Sequence, residues 1–379
     1  MPPSDKNDGA GKRKVRVPFR RNRSKPARRK DWKDLARGGD EHKVDDAAAS
    51  ESVVTKGSLS RQRTVIVRDD GVATRGVVQC GIIIAVRGLF AEVDVQGRII
   101  SCTVRRVLRT RSIDGRNSVI VGDRVHITFE EKPGLPPEGV IEAIDPRHGE
   151  LRRKSGRRIH TMAANVDQAI IVSSAWEPMP KPELIDRYVI ACLAGGIAPV
   201  VCMNKMDLDM GGGADTVLER YAGLNYRIVR TSTVSGNGIA DLRDLLRDKI
   251  SVIAGQSGVG KSSLLNAVQP GLGLIVGAVG EQNEKGRHTT TTAIMIRLAF
   301  GGYVVDTPGI RSFDISMIPR NEFEAYFEEF VPFVEKCKYP SCTHTHEDHC
   351  AVKEAVESGA IHPQRYESYV HVFSDPGMM

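Results

Sequence analysis

Eight consecutive residues, Gly255-Gln256-Ser257-Gly258-Val259-Gly260-Lys261-Ser262, have the types and spacing of a phosphate cradle. Glycines let backbone N–H groups curl around a β-phosphate, and the N-terminus of the helix that follows adds its positive dipole end. Lys261 is then placed to reach the β- and γ-phosphates. The Ser262 hydroxyl is placed to ligate Mg²⁺, and Ser263 follows it in the same nucleotide-binding turn. A second group, Asn204-Lys205-Met206-Asp207, follows an apolar strand-like run. The Asp207 carboxylate can accept from guanine N1–H and from the exocyclic amine, a donor pair that adenine lacks, so GTP is favoured over ATP. Ser232-Thr233 is expected to supply the loop that steadies the base.

The third group is Asp306-Thr307-Pro308-Gly309. Asp306 is expected to hold Mg²⁺ through water, and the Gly309 N–H to sense the γ-phosphate. Before it lies Gly286-Arg287-His288-Thr289-Thr290-Thr291-Thr292, polar and glycine-led as a switch loop must be, with Thr290 expected to complete the Mg²⁺ shell. Ile310 stands after Gly309, and its side chain cannot hydrogen-bond an attacking water. His288 is the nearest alternative, since neutral imidazole (unperturbed pKa about 6.5) can accept from water. The expected catalytic set is therefore His288, Lys261 and Thr290. The order of these groups is informative in itself. The base-reading Asn204–Asp207 precedes the phosphate loop, the reverse of an ordinary GTPase, so the chain reads as circularly permuted.

Cys337, Cys342 and Cys350 crowd together with His344, and His346 and His349 compete for the fourth ligand place. Three thiolates and an imidazole without a carboxylate suit tetrahedral Zn²⁺ in a closed structural site. The absence of a secretion-type leader favours metal over disulfides for this cluster.

The elements that must position these residues follow from patterning. Buried-strand runs at Ala169–Val172 and Pro199–Met203 flank helical spacing from Glu183 to Leu193. Further strands are read at Tyr226–Val229 and Lys249–Ala254, with helices at Asp241–Leu246 and Ser262–Val268. Alternation of this kind implies an α/β, mostly parallel sheet with its ligand at the carboxyl edge. Upstream, short β-rich runs between Gln62 and Asp145 suggest a small barrel of the oligonucleotide-binding (OB) kind. Arg105, Arg106, Arg109, Arg111 and the basic run Arg147–Arg158 border it, and few aromatics are available for base stacking. Phosphate contacts and RNA shape are the expected mode. From Pro319 onward the text is mainly helical, with Phe323, Phe327, Phe330 and Val334 as one apolar stripe.

The 379 residues carry a net charge of +7, but residues 1–37 alone hold 14 Lys/Arg against 4 Asp/Glu. This basic tail, with a polar linker to residue 60, is expected to lack order in isolation. The expected organisation is a tail and linker over 1–60, an OB-fold RNA-binding domain over 62–150, a permuted GTPase domain over 160–314 and a helical zinc-binding domain over 315–379. No run approaches the roughly 18 apolar residues of a membrane span, and no apolar leader opens the chain. The expectation is a cytoplasmic protein without membrane contact, and a monomer.

A β-barrel, then NKxD, GxSGVGKSS, GRHTTT, DTPG and a Cys/Cys/His/Cys cluster, in that order over about residues 62–375, resembles the RsgA (YjeQ, EngC) family. The resemblance implies a GTP hydrolase that assists late maturation of the small ribosomal subunit. It further implies an OB-fold on ribosomal RNA, hence the 30S subunit and its 16S rRNA as partners, with GTP and GDP as ligands. Stimulation of turnover by the 30S particle, Mg²⁺ with the nucleotide, and one structural Zn²⁺ in the region that docks on the subunit are also implied. His288 matches the family's proposed water-positioning histidine. Because the chain runs from Asp306–Gly309 straight into residues 310–350, loss of the γ-phosphate could also move the zinc region.

Overall fold

The computed structural model describes residues 78–105, 119–130, 137–155, 158–221, 223–224, 226–272, 274, 293–306, 315–316 and 318–374, and the backbone of two strands nearer the N-terminus. Those two strands are β1 (Lys12–Pro18) and β2 (Gln62–Arg68), paired antiparallel from Lys12↔Arg68 to Pro18↔Gln62. Gln62–Arg68 therefore pairs with a segment of the basic tail and is not one of the barrel strands. Val15 and Val17 on one segment, and Val65, Ile66 and Val67 on the other, supply the β-branched residues that favour extended backbone.

Five strands close the barrel: β3 (Gln79–Arg87), β4 (Phe90–Val95), β5 (Arg98–Val104), β6 (Arg124–Glu130) and β7 (Glu138–Ile144). They run in the order β3-β4-β5-β7-β6, with β6 returning to β3 and β5 parallel to β7. Alternate residues fill its interior, among them Ile83, Val93, Ile100, Cys102, Val125, Ile127 and Ile141, which is the period-two burial of a half-exposed sheet. Strand β7 carries no strong β-run in its sequence and completes the barrel between two stronger partners. A hairpin follows, β8 (Leu151–Ser155) with β9 (Arg158–Ala163).

The α/β part begins at β10 (Gln168–Ser174), every residue of which is buried, as a central parallel strand requires. Helix α1 (Pro182–Ala194), β11 (Ala198–Asn204), α2 (Gly213–Glu219), β12 (Arg227–Arg230), α3 (Ile239–Leu246), β13 (Ile250–Gly255) and α4 (Lys261–Val268) follow. β14 (Ile294–Arg297) and β15 (Tyr303–Asp306) form an antiparallel pair. The order β12-β11-β10-β13-β15-β14 makes all but β14 parallel. β14 also pairs with β3 at Ile294↔Ala85, so one sheet runs from the α/β part into the barrel.

The C-terminal region packs a 3₁₀ segment (Arg320–Tyr326), α5 (Val331–Val334), α6 (Ala351–Glu357) and α7 (Pro363–Phe373) around Phe323, Phe327 and Phe330, all fully buried. The aromatic stripe is core, as expected, but no single α-helix carries it. Pro332 in the first turn of α5 has no N–H to extend a helix from upstream. Ile190 of α1 joins this core, and Arg365 of α7 pairs with Asp186 of α1, so the helical region is seated on the α/β part.

Candidate nucleotide site and metal centre

Register brings three separated motifs to one edge of the sheet. Ser174 lies beside Asn204, Val172 beside Gly255, and Val252 beside Val305, so β10, β11, β13 and β15 all end at the same side. The phosphate loop leaves the central strand β13 and enters α4, with Gln256, Ser257, Gly258 and Val259 as its turn and Ser262 and Ser263 in the first helical turn. Two glycines are required by contact. A Cβ on Gly255 would sit 2.1 Å from the Val172 carbonyl oxygen, and one on Gly260, at φ +93°, would sit 2.5 Å from Asn204 Nδ2.

That close approach locks the base-reading segment onto the phosphate loop. Asn204 Nδ2 donates to the Val259 carbonyl at 2.8 Å, and Asn204 Oδ1 accepts from Thr231 Oγ1 at 3.1 Å. Lys205, in the left-handed region at φ +58°, donates to the Glu177 carbonyl. Met206 opens a 3₁₀ turn, its N–H bonded to the Thr231 carbonyl at 3.1 Å. Asp207 is exposed, and its Oδ1 accepts from Ser232 Oγ at 2.5 Å. Ser232 Oγ in turn accepts from the N–H groups of Val234 and Ser235 at 3.2 and 3.1 Å, so the carboxylate is held by a loop that is itself tied down. Ser232 was expected to steady the base. Thr231, buried and pinning Asn204, was not identified, because no spacing rule distinguishes it from an ordinary strand-end threonine.

Lys261 Nζ donates to the carbonyls of Gly255 and Gln256 at 2.9 and 2.8 Å, which folds the ammonium over the loop. Burial pushes its pKa down, and its described hydrogen bonds go only to carbonyls, so a polyanion over this loop would supply the counter-charge that favours its protonated form. Asp306 ends β15 at the same sheet edge. The donor set fits a nucleotide with Mg²⁺: one hydroxyl at a helix start, one carboxylate at a strand end and a lysine over a glycine loop. His288, Thr290, Gly309 and Ile310 lie outside the described residues.

The sulfurs of Cys337, Cys342 and Cys350 and His344 Nδ1 all lie within 4.8 Å of one another. His344 is fully buried and lies in the cluster, whereas His346 is exposed and neither it nor His349 joins the cluster. His344 Nε2 meets Glu324 Oε2 at 2.7 Å, which fixes the ring with Nδ1 toward the thiols, at 3.5 Å from Cys337 Sγ and 3.3 Å from Cys350 Sγ. Tyr366 and Tyr369 donate to the carbonyls of His344 and Thr343, and Glu347 accepts from the N–H groups of Thr343 and Thr345. Burial, then the neighbouring thiols, push Cys342 up to about 12. A divalent cation reverses that penalty, so the donors fit zinc. Glu324 was not identified from sequence, lying 20 residues from His344 in no metal-ligand spacing.

The RsgA GTPase family model matches residues 144–316. The Small ribosomal subunit biogenesis GTPase RsgA of Moorella thermoacetica is 43% identical over 283 residues, covering 75% of this chain and 92% of that protein. Its namesake in Thermotoga maritima is 41% identical over 285 residues, covering 74% and 90%. Among solved structures, YjeQ from Thermotoga maritima superposes with a TM-score of 0.64 at 36% identity, over 78% of this chain and 98% of that one. YloQ, described as a circularly permuted GTPase, gives 0.61 at 32% identity, over 79% and 94%. With its barrel, its permuted nucleotide motifs on one sheet edge and its Cys/His centre, this chain belongs to the RsgA family of circularly permuted GTP hydrolases.

Proposed function

We propose that this protein hydrolyses GTP to GDP and phosphate on the small ribosomal subunit and assists its late maturation, with turnover stimulated by the particle. The observation that carries the reading is the convergence of Asn204, the Gly255–Ser262 loop and Asp306 on one edge of the sheet. The relatives' printed names, small ribosomal subunit biogenesis GTPase, support the cellular role.

In this reading Asp207, oriented by Ser232, reads guanine N1–H and the exocyclic amine, and Asn204 keeps the base site in register with the phosphate loop. Lys261 and the loop N–H groups bind the β- and γ-phosphates. Ser262, Asp306 and Thr290 hold Mg²⁺, which neutralises charge on the phosphate oxygens. Gly309 senses the γ-phosphate, and His288 orients the attacking water in place of a side chain at Ile310. The Cys337–Cys342–His344–Cys350 centre holds one structural Zn²⁺. The barrel and the β8–β9 hairpin, where Arg153 and His160 are exposed, face 16S rRNA phosphates. The protein acts in the cytoplasm as a monomer on the 30S particle; no helix among the described residues is long and apolar enough to cross a membrane.

The test is GTP turnover by the protein alone, with purified small subunits and with large subunits, beside His288→Ala. Small subunits alone are expected to raise turnover, and His288→Ala to lose the gain while binding nucleotide normally. Stimulation by neither subunit would refute the ribosomal role.

A further inference from the structure

Three side chains on the barrel wall form a relay that neither the nucleotide site nor the metal centre uses. Cys80 of β3 stands directly across from His126 of β6, where these strands close the barrel. Its Sγ lies 3.4 Å from His126 Nδ1, and His126 Nε2 lies 2.9 Å from Asp145 Oδ1. Asp145 follows β7 directly and is anchored by its own N–H, which donates to the Arg124 carbonyl at 2.9 Å. Paired strands thus hold Cys80 and His126, and a backbone hydrogen bond to β6 holds Asp145, which is the rigidity a reactive constellation needs.

The chemistry follows from the hydrogen bonds. A carboxylate only accepts, so Nε2 carries the hydrogen and the Nδ1 lone pair faces the thiol. The base is adjacent to the nucleophile, and a third group orients the base and faces the imidazolium that forms. Among the seven cysteines only Cys80 is exposed. Cys102 and Cys202 are buried, which pushes their thiols up to about 12 and about 11, and Cys192 is fully buried. The other three converge at the metal centre.

We propose that Cys80 is a modification site, a reactive thiol whose substrate is a low-molecular-weight disulfide. His126 Nδ1 takes the Sγ proton, and the thiolate attacks one sulfur of R–S–S–R. The Cys80 Sγ–S bond forms as the S–S bond breaks. The leaving RS⁻ recovers the proton from His126 as RSH, so the barrel gains a mixed disulfide and one free thiol is released. The adduct stands on β3, the strand that pairs with β14 five residues further on.

The test exposes the full-length, zinc-loaded protein to oxidised glutathione and follows intact mass with peptide mapping. Comparison is with Cys80→Ser, His126→Gln and Asp145→Asn, each checked for its unfolding temperature. The expected result is a single adduct on Cys80, removed by dithiothreitol. Its formation slows about tenfold or more in His126→Gln and less in Asp145→Asn, with unfolding temperatures unchanged. An unchanged rate in folded His126→Gln, or adducts confined to the metal-centre cysteines, overturns the proposal. Should His126→Gln fail to fold, the wild-type rate is compared with that of free N-acetylcysteine, and a rate no greater than the free thiol's overturns it equally.

Discussion

The Tyr303 hydroxyl donates to Asp94 Oδ2 at 2.9 Å, joining the first residue of β15 to the barrel strand β4 across 209 positions of sequence. Asp94 is almost fully buried, and its other oxygen accepts from the Gly97 N–H at 2.6 Å and lies 3.5 Å from Arg297 Nη1 at the end of β14. The barrel therefore grips both ends of the β14–β15 turn. That hairpin follows the Gly286–Thr292 segment and ends on Asp306, so anything that tilts the barrel pulls on strands adjoining the nucleotide motifs.

Removing that grip has a measurable cost. Tyr303→Phe leaves a buried Asp94 oxygen short of a donor, which costs about 1–3 kcal/mol. Denaturant unfolding is expected to show a lowered midpoint. Asp94→Asn keeps an oxygen for the Gly97 N–H and Arg297 and can donate its amide N–H to the Tyr303 oxygen, so it is expected to lose less. Equal midpoints for Tyr303→Phe and the parent protein would show that the β3–β14 pairing and the Arg297–Asp94 contact hold the joint without Tyr303.

Ser232→Ala tests how the base is read. Without its Oγ, Asp207 loses the donor at 2.5 Å, and the N–H groups of Val234 and Ser235 lose their acceptor. A loss of about 1.4 kcal/mol corresponds to a tenfold weaker GTP affinity. Fluorescent-nucleotide titration is expected to show that loss for GTP, while the weak affinity for ATP, which cannot use the Asp207 acceptors, stays level. Parallel losses for both nucleotides would place the effect in the loop's fold.

Much of this site was legible because loop chemistry is local. The glycine demand at Gly255 and Gly260, the strand ending at Asn204 and the strand entering the phosphate loop all lie within a few residues of the side chains they position, and helix α1 was read to within one residue at either end. The order of motifs gave the permutation. What escaped was long-range. Asp94–Tyr303, Glu324–His344 and Asp186–Arg365 leave no periodic mark on the chain, since each is a contact made only once the layers are stacked. His344, His346 and His349 are equivalent in sequence, and only burial separates them. The aromatic stripe misled about its element because Phe323, Phe327 and Phe330 keep helical spacing while Pro332 breaks the helix.

Glu324→Gln isolates the support of the metal centre. The ligands stay, but the partner holding His344 Nε2 loses its charge and part of its hold on the ring. Such outer partners are worth about 10–100-fold in metal affinity. Competition with a chromogenic chelator is expected to release zinc at correspondingly lower chelator concentration, with one ion per chain in the parent protein. Release at the same concentration would mean that packing by Phe330 and Tyr369, whose rings lie 6.2 Å from the imidazole, suffices to orient it.

Arg365 decides how the zinc region can move. Its guanidinium is buried between Asp186 of α1 and Glu329, 2.6 Å from Glu329 Oε1, and lies over the Phe327 ring at 4.7 Å. Tyr221 adds a donor to the same Asp186 oxygen at 2.8 Å. Two carboxylates thus share one cation out of water, and that cation comes from the last helix. Arg365→Met strands both negative charges, which costs about 3–5 kcal/mol, whereas the triple change with Asp186→Asn and Glu329→Gln removes the charges together and is expected to recover most of it. The helical region is fastened to α1, which follows β10 and not the Asp306 segment. A nucleotide-driven shift of the zinc centre must therefore carry α1 with it or break this triad. Distances between spin labels on α1 and α7 are expected to be equal with GDP and with a non-hydrolysable GTP analogue. A change between the two states would show that the triad opens during the cycle, and in that event the triple variant should shift the balance toward the open form.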